Sequence, residues 1–145
     1  MLPASDGLAD PSVVPIETRT FGVNPADARN IDDWAASVGG RWKIGARALF
    51  ATRLCIAELF NNVIEHGTAR KDDDHVVLTL KRQGAGIVVE FMDTRGQFDP
   101  TNITGRSERL TKSVGGHGML LVRAYSRELA YHYDGQYNHT TLKIS

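Results

Sequence analysis

Residues 53–67 read RLCIAELFNNVIEHG, and the spacing of their side chains decides how the rest of the chain is arranged. At ~100° per residue, Leu49, Ile56, Leu59, Phe60, Val63 and Ile64 fall on one broad arc, while Glu58, Asn61, Asn62 and Glu65 gather on the opposite one. This predicts a helix that starts near Ile44, buries its apolar side and stops at Gly67, with His66 as a favourable last-turn residue. An ordinary surface helix would carry a mixture of Lys, Arg and Glu on its polar side. Here Glu58 is followed one turn later by Asn62, so a carboxylate and a neutral amide stand side by side. Such a pair can hold a hydrated cation or orient an attacking hydroxyl. Alone it is better explained as solvated helix surface, and its meaning depends on what the rest of the chain brings to it.

The chain has 145 residues, enough for one domain with a real core. Lys plus Arg equals Asp plus Glu at 17 each. That balance gives no electrostatic footprint for nucleic acid or for an anionic membrane surface. No apolar run approaches the ~20 residues that span a bilayer, and the N-terminus lacks a basic-then-apolar leader pattern. A cytoplasmic location is the expectation. Cys55 is the single cysteine, which excludes an intrachain disulfide and a multi-thiolate zinc site. Its expected role is a small packed side chain.

Outward from the helix, residues 1–12 read as a flexible tail, with Pro3, Gly7 and Pro11 among small and acidic residues, and the domain occupies 13–145. Val13 to Phe21 reads as an edge strand marked by Pro15. Asn24 and Pro25 read as the start of a helix that ends on Gly39 and Gly40. HVVLTLKR and GIVVEFMD alternate as an antiparallel hairpin, and Asp93 closes its second strand. DPTNITGRSERLTKSVGGHG, residues 99–118, reads as a long lid-like loop. Gly115, Gly116 and Gly118 then precede an apolar helix, MLLVRAYS, where exposed backbone N–H groups suit an anion. ELAYHYDG and YNHTTLKI form a closing hairpin, with Tyr131, Tyr133 and Tyr137 as packing residues.

In that order, AELFNNVIEHG, FMDTRGQFDP and GGHGMLLVRAYSREL resemble the three motifs of the ATP-binding fold of the gyrase, Hsp90, histidine-kinase and MutL superfamily. The nearest likeness is to the small stand-alone anti-sigma factor serine kinases, and it covers roughly Val14 to Ser145. The resemblance implies an α+β, two-layer sandwich, with a mixed, mainly antiparallel sheet covered by helices on one face. It implies ATP and a magnesium ion (Mg2+) as cofactors. Glu58 would be the general base, Asn62 would help hold the magnesium, and Asp93 would accept a hydrogen bond from the adenine amino group. Gly96 would pass beside the base, and Gly116 and Gly118 would bring amides to the phosphates. Arg106, Arg109 and Lys112 are equal candidates for a charge partner on the lid.

The implied partners are a STAS-domain antagonist carrying the target serine, a sigma factor or other regulator, and a second copy of the chain. The family usually has glycine where Arg95 and Gln97 stand, with Gly96 between them here. Either the loop is shifted and still passes the base, or Arg95 crowds the pocket, since glycine suits close backbone approach. Two functions follow: a serine kinase, or a non-catalytic interaction module that keeps the fold and trades partners.

Overall fold

The computed structural model describes residues 13–66, 72–102 and 113–145. The expected tail, the end of the long helix at Gly67, and the lid candidates Arg106, Arg109 and Lys112 lie outside the described residues. The elements follow in the order β1 (Ile16–Phe21), α1 (Asp27–Arg41), α2 (Ala46–His66), β2 (Val76–Gln83), β3 (Gly86–Asp93), a 3-10 turn (Pro100–Asn102), α3 (Ser113–Tyr125), β4 (Glu128–Tyr133) and β5 (Asn138–Ile144). The five strands make one sheet in the order β1-β2-β3-β5-β4, antiparallel at every described pairing. The helices cover one face of it, as an α+β two-layer sandwich requires. No helix among the described residues is long and apolar enough to cross a membrane.

The period of two in the strands decides what faces the helices. Val76, Leu78 and Leu80 of β2, Ile87, Val89 and Phe91 of β3, and Leu142 and Ile144 of β5 are all buried, and they meet Ile56, Leu59, Phe60 and Val63 of α2. Each fully buried side chain of this kind contributes ~1.5–3 kcal/mol. Met119 and Val122, three apart on α3, are wholly buried, and Trp34 of α1 packs edge-on against Phe21 with ring centroids 5.6 Å apart. The same inward register ends on polar residues at one end of the sheet: Asp93 on β3, and Asn138 and Thr140 on β5.

Three helix boundaries differ from the sequence reading. Helix α1 begins at Asp27 rather than Pro25, because Asp27 turns back to accept the Asn24 backbone N–H at 2.9 Å. It then runs through both glycines to Arg41. Gly39 is there for packing: a Cβ at that position would lie 2.4 Å from Leu49 Cδ1 of α2, so its absence lets the two helices approach. The left-handed residue after the helix is Lys43, at φ 55°, and Ile44 N–H bonds back to Gly39 O at 2.9 Å. Helix α3 starts at Ser113, ahead of the glycines instead of after them.

Gly86, the first residue of β3, sits against the chain's last residues. A Cβ there would be 1.9 Å from the Ile144 carbonyl oxygen, a backbone atom that cannot rotate away. Gly86→Ala is expected to cost about 1–3 kcal/mol through forced displacement of β5. Thermal or urea unfolding checks it, and an unchanged midpoint would mean that the C-terminal end of β5 yields freely.

Candidate functional site

The polar end of the inward register meets α2 at a cleft. Asp93 and Asn138 face each other across the β3–β5 ladder, and α2 supplies Asn62. Asn62, Asp93, Thr140, and Arg95, Gly96 and Phe98 from the loop after β3 line this cleft, which is floored by Leu59 and Val63.

Asp93 is 7% exposed. One carboxylate oxygen accepts from the Arg95 backbone N–H at 3.1 Å and from the Asn138 amide at 3.0 Å. Burial nevertheless pushes its carboxyl up to about 6, against the pull of those two donors and of the Arg95 charge, and Asp74 adds to the rise. The side chain is therefore a carboxylate at neutral pH that is held there against its environment.

Asn62, placed by the sequence on the polar arc of its helix, is buried at 5% exposure. The arc turns inward there, because one end of α2 passes over the polar edge of the sheet. Its amide nitrogen is buried without a hydrogen-bond partner, a state that costs about 1–3 kcal/mol and that calls for a missing partner. Amide oxygen and nitrogen exchange places on a half-turn of the side chain, so this group can complete itself by donating to a phosphate or by presenting its oxygen to a cation. Glu58 lies one turn before Asn62, half-buried and outside the lining of the cleft. Burial, and then the neighbouring charge of Glu65, raise its carboxyl above the ordinary range. Cys55 on the same helix is wholly buried, its thiol pushed up to about 12 by burial and then by Glu58, which makes it an inert packed group.

Arg95 is buried, and its guanidinium lies 3.6 Å from the equally buried Asp74. Thr94 Oγ1 donates to Asp74 at 3.0 Å and accepts the His75 N–H at 2.9 Å. Gln97 is exposed and outside the cleft lining. His66 stacks on Phe98, with ring centroids 5.1 Å apart, so the end of α2 meets the loop directly. Asp99 accepts the Thr101 N–H at 2.8 Å and starts the 3-10 turn, whose Thr101 carbonyl accepts from Arg123 of α3.

Asn62, Asp93 and Gly96 thus share one cleft, and Glu58 stands a helical turn away. Gly116 and Gly118 lie in the first turns of α3. A helix leaves its first four N–H groups, counted from the N-cap, without intrahelical partners; with Ser113 as the first helical residue, that of Gly115 is the last of these, and those of Gly116 and Gly118 belong to the helix's own ladder. Asn138, Thr140 and Asp74 were missed by the sequence reading. The available signal was NHTTLKI, where Asn138 and Thr140 occupy the same alternate positions as Leu142 and Ile144, polar groups in an inward register.

The cleft suits a magnesium nucleotide through the chemistry of its donors. Magnesium takes oxygen ligands, keeps several waters and commonly binds through one or two protein oxygens together with phosphates. Asn62 offers one such oxygen beside a space open to a ligand, and the described residues contain no cluster of His, Cys, Asp and Glu able to hold a metal by themselves.

Comparison with known proteins agrees with this architecture. A serine/threonine-protein kinase, BtrW of Bordetella bronchiseptica, is 28% identical over 131 residues, covering 87% of this chain and 91% of the relative. Among solved structures, the RsbU and RsbW domains of Rv1364c from Mycobacterium tuberculosis superpose with a TM-score of 0.66 at 17% identity. That match takes in 90% of this chain but 32% of the longer one, and at such identity it speaks for the fold. The histidine kinase-like ATPase domain matches from residue 21 to residue 144, from the end of β1 to the end of β5, and it is to this family that the chain belongs.

Proposed function

We propose that the protein is an ATP-dependent serine kinase of the anti-sigma-factor type. It would transfer phosphate to a serine of a STAS-domain antagonist and, in another state, hold a sigma factor or other regulator. The observation that carries this reading is the meeting of a buried, destabilised carboxylate, Asp93, with an unpaired buried amide, Asn62, in one cleft of a histidine kinase-like ATPase fold. The likeness to a named serine/threonine-protein kinase supports the choice of acceptor.

Each residue then has a task. Asp93 accepts a hydrogen bond from the exocyclic amino group of adenine, and the Gly96 backbone runs beside the base. Asn62 holds the magnesium ion together with the phosphates; the bound ion supplies neutralisation of phosphate charge. Glu58, made more basic by burial and by Glu65, takes the proton from the attacking serine hydroxyl. Phosphoryl transfer asks mostly for positioning and charge stabilisation, so one base, one metal-holding amide and the N-terminal end of α3 suffice, where Gly116 and Gly118, without side chains, would let phosphates approach closely. Arg106, Arg109 and Lys112 remain candidates for charge partners. A homodimer and a cytoplasmic site of action belong to the same proposal.

Calorimetric titration of magnesium ATP and ADP, with Asp93→Asn as control, tests the cleft. Micromolar binding that the control abolishes is the expected result. Transfer of labelled phosphate to a serine of the STAS partner then tests the kinase. Complex formation with that partner, without label and without nucleotide binding, would make the protein a non-catalytic interaction module.

A further inference from the structure

Asn138 is 2% exposed and was not singled out from the sequence. Its amide nitrogen donates to Asp93 at 3.0 Å, to the Arg95 carbonyl at 2.7 Å and to the Gly96 carbonyl at 3.2 Å. Its amide oxygen accepts the Phe98 N–H at 3.0 Å and the Tyr131 hydroxyl. One side chain on β5 thereby fixes the carboxylate that ends β3 and both peptides that follow it. Arg95 is held from the other side by the buried Asp74, itself tied through Thr94 to the start of β2.

We propose that Asn138 and the buried Arg95–Asp74 pair form a clamp that positions Asp93 and the Arg95–Gly96 backbone, and so sets the base specificity of the cleft. This rests on the nucleotide reading of the site and adds residues to it. The clamp gives Arg95 a purpose: where glycine would let the loop approach a base by being small, a buried ion pair with Asp74 fixes the loop at one distance. Asn138 supplies both polarities, since it donates to three oxygens and accepts two hydrogens, which neither Asp nor Leu could do in that space. Specificity follows because adenine offers an amino donor to Asp93, whereas guanine places a carbonyl oxygen at the same edge. A rigidly held carboxylate rejects that oxygen, and a loose one can turn away from it.

The test is the ratio of GTP to ATP dissociation constants, measured by calorimetry on the full chain and on Asn138→Asp, Arg95→Gly and Asp93→Asn. Asn138→Asp keeps size and both acceptor contacts but removes the donors, and Arg95→Gly restores the family's usual residue. Both are expected to lower the discrimination about tenfold, the scale of a lost buried hydrogen bond. A merely structural role would reduce the competent fraction and weaken both nucleotides equally, which leaves the ratio unchanged. Tighter ATP binding by Arg95→Gly would show that Arg95 only crowds the pocket and would overturn the clamp. So would an unchanged ratio in both variants while Asp93→Asn destroys it, which leaves the nucleotide reading standing. A wild-type chain that binds neither nucleotide removes both proposals. Should Asn138→Asp fail to fold, Arg95→Gly decides alone.

Discussion

Glu58→Gln is expected to slow phosphate transfer to the partner serine by ~10²–10⁴, the usual yield of a positioned general base, while leaving ATP affinity within about threefold of wild type. The split follows from position. Glu58 is on the helix that carries Asn62 but outside the lining of the cleft, so it does not contribute to holding the nucleotide. Its carboxyl is raised first by burial and then by Glu65, and a carboxylate of raised pKa is a stronger proton acceptor. The transfer rate should rise with pH as Glu58 loses its proton. Glu65→Gln removes a like charge, lowers the Glu58 carboxyl and moves that acid limb to lower pH. Single-turnover transfer across a pH series measures both effects. A Glu58→Gln protein that transfers at the wild-type rate would remove Glu58 from the mechanism, and a limb unmoved by Glu65→Gln would assign the titration to another group.

Much of this arrangement was legible in the sequence because local chemistry and global fold agree there. β2 alternates along most of its length, β3 is apolar through Ile87, Val88 and Val89 before it alternates, and a two-residue turn, Gly84–Ala85, joins the pair Gln83 and Gly86. The long run around residues 53–66 could be nothing but a helix. What failed were features set by packing. Gly39 and Gly40 read as a helix end on propensity, yet Leu49 needs the space that Gly39 leaves, and the chain turns instead at Lys43. Asn62 read as solvent-facing because a helical projection cannot tell which part of a polar arc another layer will cover. Asn138 carried a weak period-two signal, but only the register Asp93↔Asn138 gives it meaning, and register between strands 45 residues apart is not written in either strand. Arg95 read either as the mark of a shifted loop or as an obstruction, and its partner Asp74 lies in a charged stretch where no single acid stands out.

Asp93→Asn is expected to abolish ATP binding and, at the same time, to stabilise the fold. In the native chain burial holds the Asp93 carboxyl at about 6, against ~3.9 for an unfolded aspartate. Between those values the native state binds more protons than the unfolded one, so stability falls as pH rises through that window, and above it the deficit is complete. Two pK units amount to ~3 kcal/mol at most; with relaxation of the site and the lost attraction to Arg95, about 1–2 kcal/mol is expected at pH 7. The gain should be mostly lost by pH 4 and vanish below about pH 3, where the wild-type side chain is neutral in both states. Asparagine keeps an oxygen for the Arg95 N–H and the Asn138 amide, so the local geometry survives. It also presents a weaker acceptor to the adenine amino group than a carboxylate does, since charge-assisted bonds are about twice as strong as neutral ones. For the same reason wild-type affinity for ATP should weaken as pH falls below about 6. Asp74 and Arg95 are the charged groups beside Asp93, and Tyr131 stands nearby with its hydroxyl raised by burial. Urea unfolding of both proteins at pH 4 and pH 7 reads the stability difference. A carboxylate that weakens its own fold and whose removal leaves nucleotide binding intact would have no reason to be there, and that pair of results would end the assignment of Asp93 to the base.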